Sequence, residues 1–247
     1  MKLRLALPLT LALASPLAAL DLDAMSDEER AQFQAEIRTY LLENPEVIAE
    51  AITVLRAREE LAQQQNDTLM AQTFANDLFN DGHSFVGGNP DGDITVVEFM
   101  DYRCGFCKRA FPEIEALVAS DANIRYVIKE FPILGEQSVL ASRFAIATQL
   151  VAGDAAYKDV HNTLMEFRGD ISAQSLTRLG DTLGLDTAAI SARMDDPIVT
   201  EILSKNRALA QQLQISGTPT FVFDDQMVRG FVPLAEMEEL LAELRSE

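Results

Sequence analysis

Cysteine occurs only twice in this 247-residue chain, and so does histidine. A zinc site usually wants four ligands, but there is no second cysteine pair, and His83 and His161 lie far from the cysteines in sequence. Basic residues are also scarce, with 20 Lys and Arg against 39 Asp and Glu and a formal net charge of −19. So acidic a chain argues against nucleic acid or a membrane surface as partner. After the first twenty residues no stretch is apolar enough to span a bilayer, and no internal repeat or low-complexity tract is visible.

The chain opens with Met1-Lys2-Leu3-Arg4, runs apolar from Leu5 to Leu20 with Pro8 and Pro16 inside, and turns acidic at Asp21. A basic start, an apolar middle and small residues at Ala18 and Ala19 predict a secretory signal peptide over 1–19, cleaved near Ala19. Cleavage removes Lys2 and Arg4 from the 20 basic residues, leaving 18 against 39 acidic ones and a net charge of −21. The expected location is an oxidising compartment such as a bacterial periplasm.

Both cysteines stand in Val96-Val97-Glu98-Phe99-Met100-Asp101-Tyr102-Arg103-Cys104-Gly105-Phe106-Cys107-Lys108-Arg109. Ile94 to Met100 is a short apolar, β-branched run that reads as a buried strand, and Phe111, Ile114, Leu117 and Val118 then recur at helical spacing. The pair therefore falls at a helix N-terminus. Free N–H groups and the positive end of the helix dipole favour an anion there, so Cys104 is the expected nucleophile, with a lowered pKa. Cys107, about one turn further in, is placed to attack a mixed disulfide and release the partner. An inert structural bridge over so short a loop would constrain the unfolded chain little. A two-thiolate Cu(I) site stays open as a side activity, because soft sulfur suits that ion; no other cofactor is expected.

Ser26-Asp27-Glu28-Glu29 has capping-box spacing and predicts a helix to about Leu42, broken at Asn44-Pro45. A long, bent helical segment should follow. Its stripe of Val47, Ile48, Ala51, Ile52 and Leu55 gives way to the polar Arg56–Asn66, then resumes at Leu69, Met70, Phe74 and Leu78. The polar middle favours a projecting stalk whose first stripe pairs with other copies, although the heptad is too short to assign a strand number. After Asp81-Gly82 come a short strand at 84–86, a turn cluster at 87–92, the central strand, the cysteine helix and a parallel strand from Ile124 to Phe131. Helical stripes fill about 136–213. The strand ending Thr220-Phe221-Val222-Phe223, a turn at Asp224-Asp225, a hairpin partner and a last helix complete an α/β chain.

A strand, a Cys-X-X-Cys helix, a strand, a helical insertion, then Thr218-Pro219 before a hairpin and helix resembles the thioredoxin fold in its DsbA-like form. The resemblance covers roughly Ser84 to Glu247. Within that family, Glu98–Lys108 and Ser216-Gly217-Thr218-Pro219-Thr220 resemble the ScsC-like proteins (suppressor of copper sensitivity protein C), a group in which a helical N-terminal extension mediates trimer formation. The expected domains are therefore a helical oligomerisation segment over 20–80 and a thioredoxin-like domain over 81–247, with the insertion at about 136–213.

The resemblance implies that Pro219 is cis and lies against the cysteines, and that the Thr218 backbone offers strand-like hydrogen bonds to a bound polypeptide alongside Gly105 and Phe106. It also implies that Glu98 is the family's acidic residue beneath the site, with Lys129 on the neighbouring strand as its expected partner. DsbA-type oxidases typically carry Pro-His between the cysteines, whereas Gly105-Phe106 with Thr218 is similar to the isomerase-type pattern, which implies a less depressed Cys104 pKa and a less extreme potential. The expectation is a periplasmic thiol-disulfide oxidoreductase of isomerase or reductase type, served by a membrane redox partner and acting on unfolded or misoxidised secreted proteins. A dithiol oxidase and a non-catalytic holdase or Cu(I)-binding protein are the alternatives.

Overall fold

The computed structural model describes residues 24–246, so the signal-peptide reading lies outside the described residues. β-branched and aromatic runs form a five-stranded sheet from β1 (Phe85–Gly88), β2 (Ile94–Met100), β3 (Ile124–Glu130), β4 (Thr220–Phe223) and β5 (Gln226–Arg229), in the order β1-β3-β2-β4-β5. β2 and β3 are parallel; the other pairs are antiparallel. The crossover between β2 and β3 is α4 (Gly105–Ser120), so the segment leaving the central strand delivers the cysteines just beyond that strand's C-terminal end.

Alternation along the central strands assigns each residue to a face. Val96, Met100, Tyr126 and Ile128 pack with Ile114 and Leu117 of α4 and Met237 of α9 (Leu234–Leu244). On the other face, Val97, Phe99 and Val127 meet Ala71, Leu78 and Leu209. Between β3 and β4 lie α5 (Glu136–Glu166), α6 (Ala173–Thr182), α7 (Thr187–Arg193) and α8 (Pro197–Gln212). This is the expected insertion, with α7 as a short helix that the apolar stripes do not reveal.

The N-terminal helices are α1 (Asp27–Glu43), with the Ser26/Glu29 capping box formed, α2 (Glu46–Thr73) and the short α3 (Ala75–Phe79). The chain divides into two compact units at Arg58/Glu59, which corrects the boundary expected at 80/81. Ala71 and Leu78 are fully buried among Val97, Phe99 and Leu213, and the Asp67 carboxylate accepts hydrogen bonds from Arg229 Nη1 and Nη2. The second half of α2 is thus core of the larger unit. In the smaller unit α1 buries no side chain, and Ile37, Tyr40, Leu42, Ile48, Ile52 and Leu55 are exposed. No helix among the described residues is long and apolar enough to cross a membrane.

Candidate active site

Cys104 caps the N-terminus of α4, with its own N–H donating to the Asp101 carbonyl at 3.0 Å. Its Sγ accepts from the Cys107 backbone N–H at 3.5 Å and donates to the Thr218 carbonyl at 3.2 Å. The Cys107 thiol beside it draws the Cys104 pKa down to about 5. The Thr218 side chain and the N–H groups of Cys107 and Phe106 reinforce that pull, and burial opposes it. Cys107 is fully buried, and its thiol is pushed far up, first by burial, then by Cys104 and the charge of Glu98. Both cysteines are free.

The loop before the nucleophile is tied down on two sides. Asp101 Oδ1 accepts from the Arg103 N–H at 2.7 Å, and Oδ2 from the N–H groups of Ile133 and Leu134 at 2.8 and 3.0 Å. Opposite Cys104 the Thr218–Pro219 bond is cis. Pro219 is buried, Thr218 half-buried, and Gly105 and Phe106 are exposed; Cys104 is itself 6% exposed and Cys107 0%, so of the two sulfurs only Cys104 reaches the surface.

Glu98 is buried beneath the site, where the Tyr126 hydroxyl donates to Oε2 while Oε1 has no hydrogen-bond partner among the described residues. Burial pushes its carboxyl up to about 7 against the pull of that hydroxyl. The expected partner Lys129 is not there, which corrects that reading. The parallel register pairs Glu98 with Ile128, so Lys129 points through the opposite face. There its ammonium bonds Asp81 Oδ2 at 2.5 Å and the Asp77 carbonyl at 2.7 Å.

Sequence reasoning missed a second buried carboxylate. Glu130 lies on the Glu98 face, and its Oε1 accepts from the hydroxyls of Tyr102 and Tyr157, each at 2.7 Å. His161 Nδ1 is 3.2 Å from the Tyr102 oxygen. Burial pushes Glu130 to about 7 and holds His161 well below its usual range, hence neutral. Glu130 follows Ile128 by two residues, so strand alternation was the available signal.

These groups suit thiol-disulfide exchange. The Cys104 thiolate attacks one sulfur of a disulfide, a mixed S–S bond forms, and the other sulfur leaves as a thiolate. Cys107, losing its proton, then displaces the substrate sulfur and closes a Cys104–Cys107 disulfide. Glu98 is the buried carboxylate whose charge bears on Cys107 and which can hold that proton. Two thiolates also suit Cu(I). Among the described residues no group of three or more His, Cys, Asp or Glu is placed to hold a metal ion.

Residues 95–242 match the DSBA-like thioredoxin domain family, and residues 29–62 match the copper resistance protein ScsC N-terminal domain. A thioredoxin-like oxidoreductase from Silicibacter pomeroyi DSS-3 is 40% identical with a TM-score of 0.66, covering 70% of this chain and 98% of that one. Proteus mirabilis ScsC in a transitional conformation is 26% identical with a TM-score of 0.65, covering 89% and 98%. Disulfide bond formation protein D of Bacillus subtilis is 27% identical over 63% of this chain and 74% of its own length. The chain spans only 22% of another relative, the Na(+)/H(+) antiporter NhaA 3 of Salinispora tropica, at 26% identity over 59% of this chain. With its fold, its cysteine pair and a domain match covering more than half its length, the chain belongs to the DsbA-like thioredoxin-domain family of thiol-disulfide oxidoreductases and carries an ScsC-type N-terminal segment.

Proposed function

We propose that this protein is a periplasmic thiol-disulfide oxidoreductase of isomerase or reductase type. Its substrates are unfolded or misoxidised secreted proteins, and a membrane redox partner keeps the cysteines reduced. The carrying observation is how Cys104 is stabilised. Its anion draws on Cys107, Thr218 and backbone N–H groups, with no histidine between the cysteines to make the disulfide strongly oxidising. A nucleophile at the surface edge of the pair, backed by a fully buried resolving thiol, lets a substrate thiol displace Cys104 before Cys107 does, which reshuffling requires. The similarity to disulfide bond formation protein D favours a second reading, a dithiol oxidase.

Self-association through α1 and the first half of α2 belongs to the same proposal. Ile37, Tyr40, Ile48, Ile52 and Leu55 are exposed, and assembly with other copies, three in all as in the ScsC-like group, would cover them. The decisive assay uses scrambled and reduced ribonuclease beside the equilibrium of the Cys104–Cys107 couple against glutathione. Recovery of activity from the scrambled form with a mid-range potential supports isomerisation. Oxidation of the reduced form alone, with a high potential, overturns it in favour of the oxidase.

A further inference from the structure

Around Cys104 the sign of the charge reverses. The chain carries −19 overall, yet Arg103, Lys108 and Arg109 flank the cysteines, and Arg168 joins them just beyond α5. Arg103 Nη1 donates to the Gly169 carbonyl at 3.2 Å, next in sequence to Arg168. Lys108 Nζ donates to the carbonyls of Leu164, Met165 and Phe167 at 2.8, 3.1 and 2.6 Å, and feels the positive charges of Arg168 and Arg103. The Arg109 guanidinium carbon lies 4.2 Å from the centre of the Phe231 ring and 5.7 Å from that of Phe106.

Elsewhere in the larger unit, Lys129, Lys158, Lys205, Arg193, Arg229 and Arg245 each pair with a carboxylate, whereas Arg125, Arg143 and Arg207 bond carbonyls or a hydroxyl; what sets the surroundings of Cys104 apart is four cations without a carboxylate partner gathered at one place. Among the described residues, none of the four cations near Cys104 forms an ion pair, and neither Glu166 nor Asp170, close by in sequence, pairs with them; the carboxylate whose charge reaches Lys108, that of Asp101, is buried and spent on backbone N–H groups. Carbonyl oxygens and ring faces hold Arg103, Lys108 and Arg109 in place without cancelling their charge, so a partner carboxylate meets cations that are already ordered. Phe106 is 57% exposed and Leu134, tied to the same loop through Asp101, is 52% exposed. Both offer apolar contact beside the charges.

We propose that this rim is a docking surface for polypeptides carrying Asp or Glu beside the disulfide under attack, with an apolar side chain seated on Phe106. The proposal rests on exchange at Cys104 and states which substrates that exchange prefers. At physiological salt the screening length is about 8 Å, so these local cations outweigh the distant net charge for a bound segment.

The test uses the full chain with Cys107→Ser, which stops at the mixed disulfide, and three symmetric peptide disulfides whose cysteines are flanked by Glu, Gln or Lys. In each reaction the Cys104–peptide bond forms, the peptide S–S bond breaks, and the second half leaves as a thiolate that takes a proton from water. Mass spectrometry of the adduct gives the rate. The expected order is Glu, then Gln, then Lys, with a Glu-to-Lys ratio of about tenfold. Adding Arg103→Glu and Arg109→Glu should reverse the order, while Arg38→Glu with Arg58→Glu, the same change in net charge on α1 and α2, should not. Equal rates for the three peptides, or reversal by the α1 and α2 pair as well, would overturn the proposal while leaving exchange intact. Failure of even the Gln peptide to react would overturn exchange at Cys104 itself.

Discussion

Cys104 takes its partners from the first turn of α4 and from Thr218, whereas Cys107 is wholly buried in the field of Glu98. Cys104→Ser should therefore abolish exchange, and Cys107→Ser should accumulate substrate adducts on non-reducing gels; equal trapping by both would contradict the assignment. Alkylation of Cys104 should titrate near pH 5. Glu98 and Glu130 lead to a stability prediction. Each carboxyl rises from 4.5 to about 7 in the folded state, so the native protein holds protons that the unfolded chain has released. Their contribution to stability is then full below about pH 4.5 and is lost as the pH climbs through 7, by about 3 kcal/mol per group. In urea unfolding at pH 5 and pH 8, Glu98→Gln or Glu130→Gln should flatten that decline, and curves parallel to the parent's would refute it. Both cysteines and Glu98 stand out in the sequence because a thiol pair and a carboxylate on an apolar strand are local signals. The partner of Glu98 was not legible, since one residue of register decides whether Lys129 or Tyr126 shares its face.

Among the elements, β2 and α4 were readable from apolar runs and spacing. The break after Thr73 and the helix α7 were not. Phe74 and Leu78 continue the stripe of α2, and only their burial against the sheet turns the chain there. α7 is seven residues with one buried side chain, Ile190, too short for a period to emerge. α5 carries a break of a different kind, because Gly153 sits inside it at φ 83°, ψ −177°, a backbone state that side chains with a Cβ rarely adopt. A Cβ built there meets nothing within 4 Å, so any cost of substitution lies in the backbone alone. Gly153→Ala should cost on the order of 1–3 kcal/mol in urea unfolding. Gly105→Ala, also in open space but without a positive φ, should stay within about 0.5 kcal/mol. A neutral Gly153→Ala would mean that α5 straightens without penalty.

For the whole chain, the sequence placed a helical segment before a thioredoxin-like domain but put the boundary too late. The polar stretch Arg56–Asn66 reads as one exposed span, yet Asp67 just beyond it is 4% exposed and bonded to Arg229, so the larger unit begins at Glu59. That revises how the smaller unit is to be removed. A variant starting near Asp81 would strip Ala71 and Leu78 from the core and confuse lost assembly with lost folding. A variant starting at Glu59 keeps them. In the proposed assembly several cysteine pairs share one space and hold a misoxidised chain between attacks by effective concentration, which reshuffling needs and a single exchange does not. The Glu59 variant should therefore be a monomer by light scattering, react with a small disulfide at the parent's rate, and recover scrambled ribonuclease far more slowly. If the full protein scatters as a monomer, or the shortened one reshuffles equally well, the apolar side chains of α1 and α2 do not serve isomerisation.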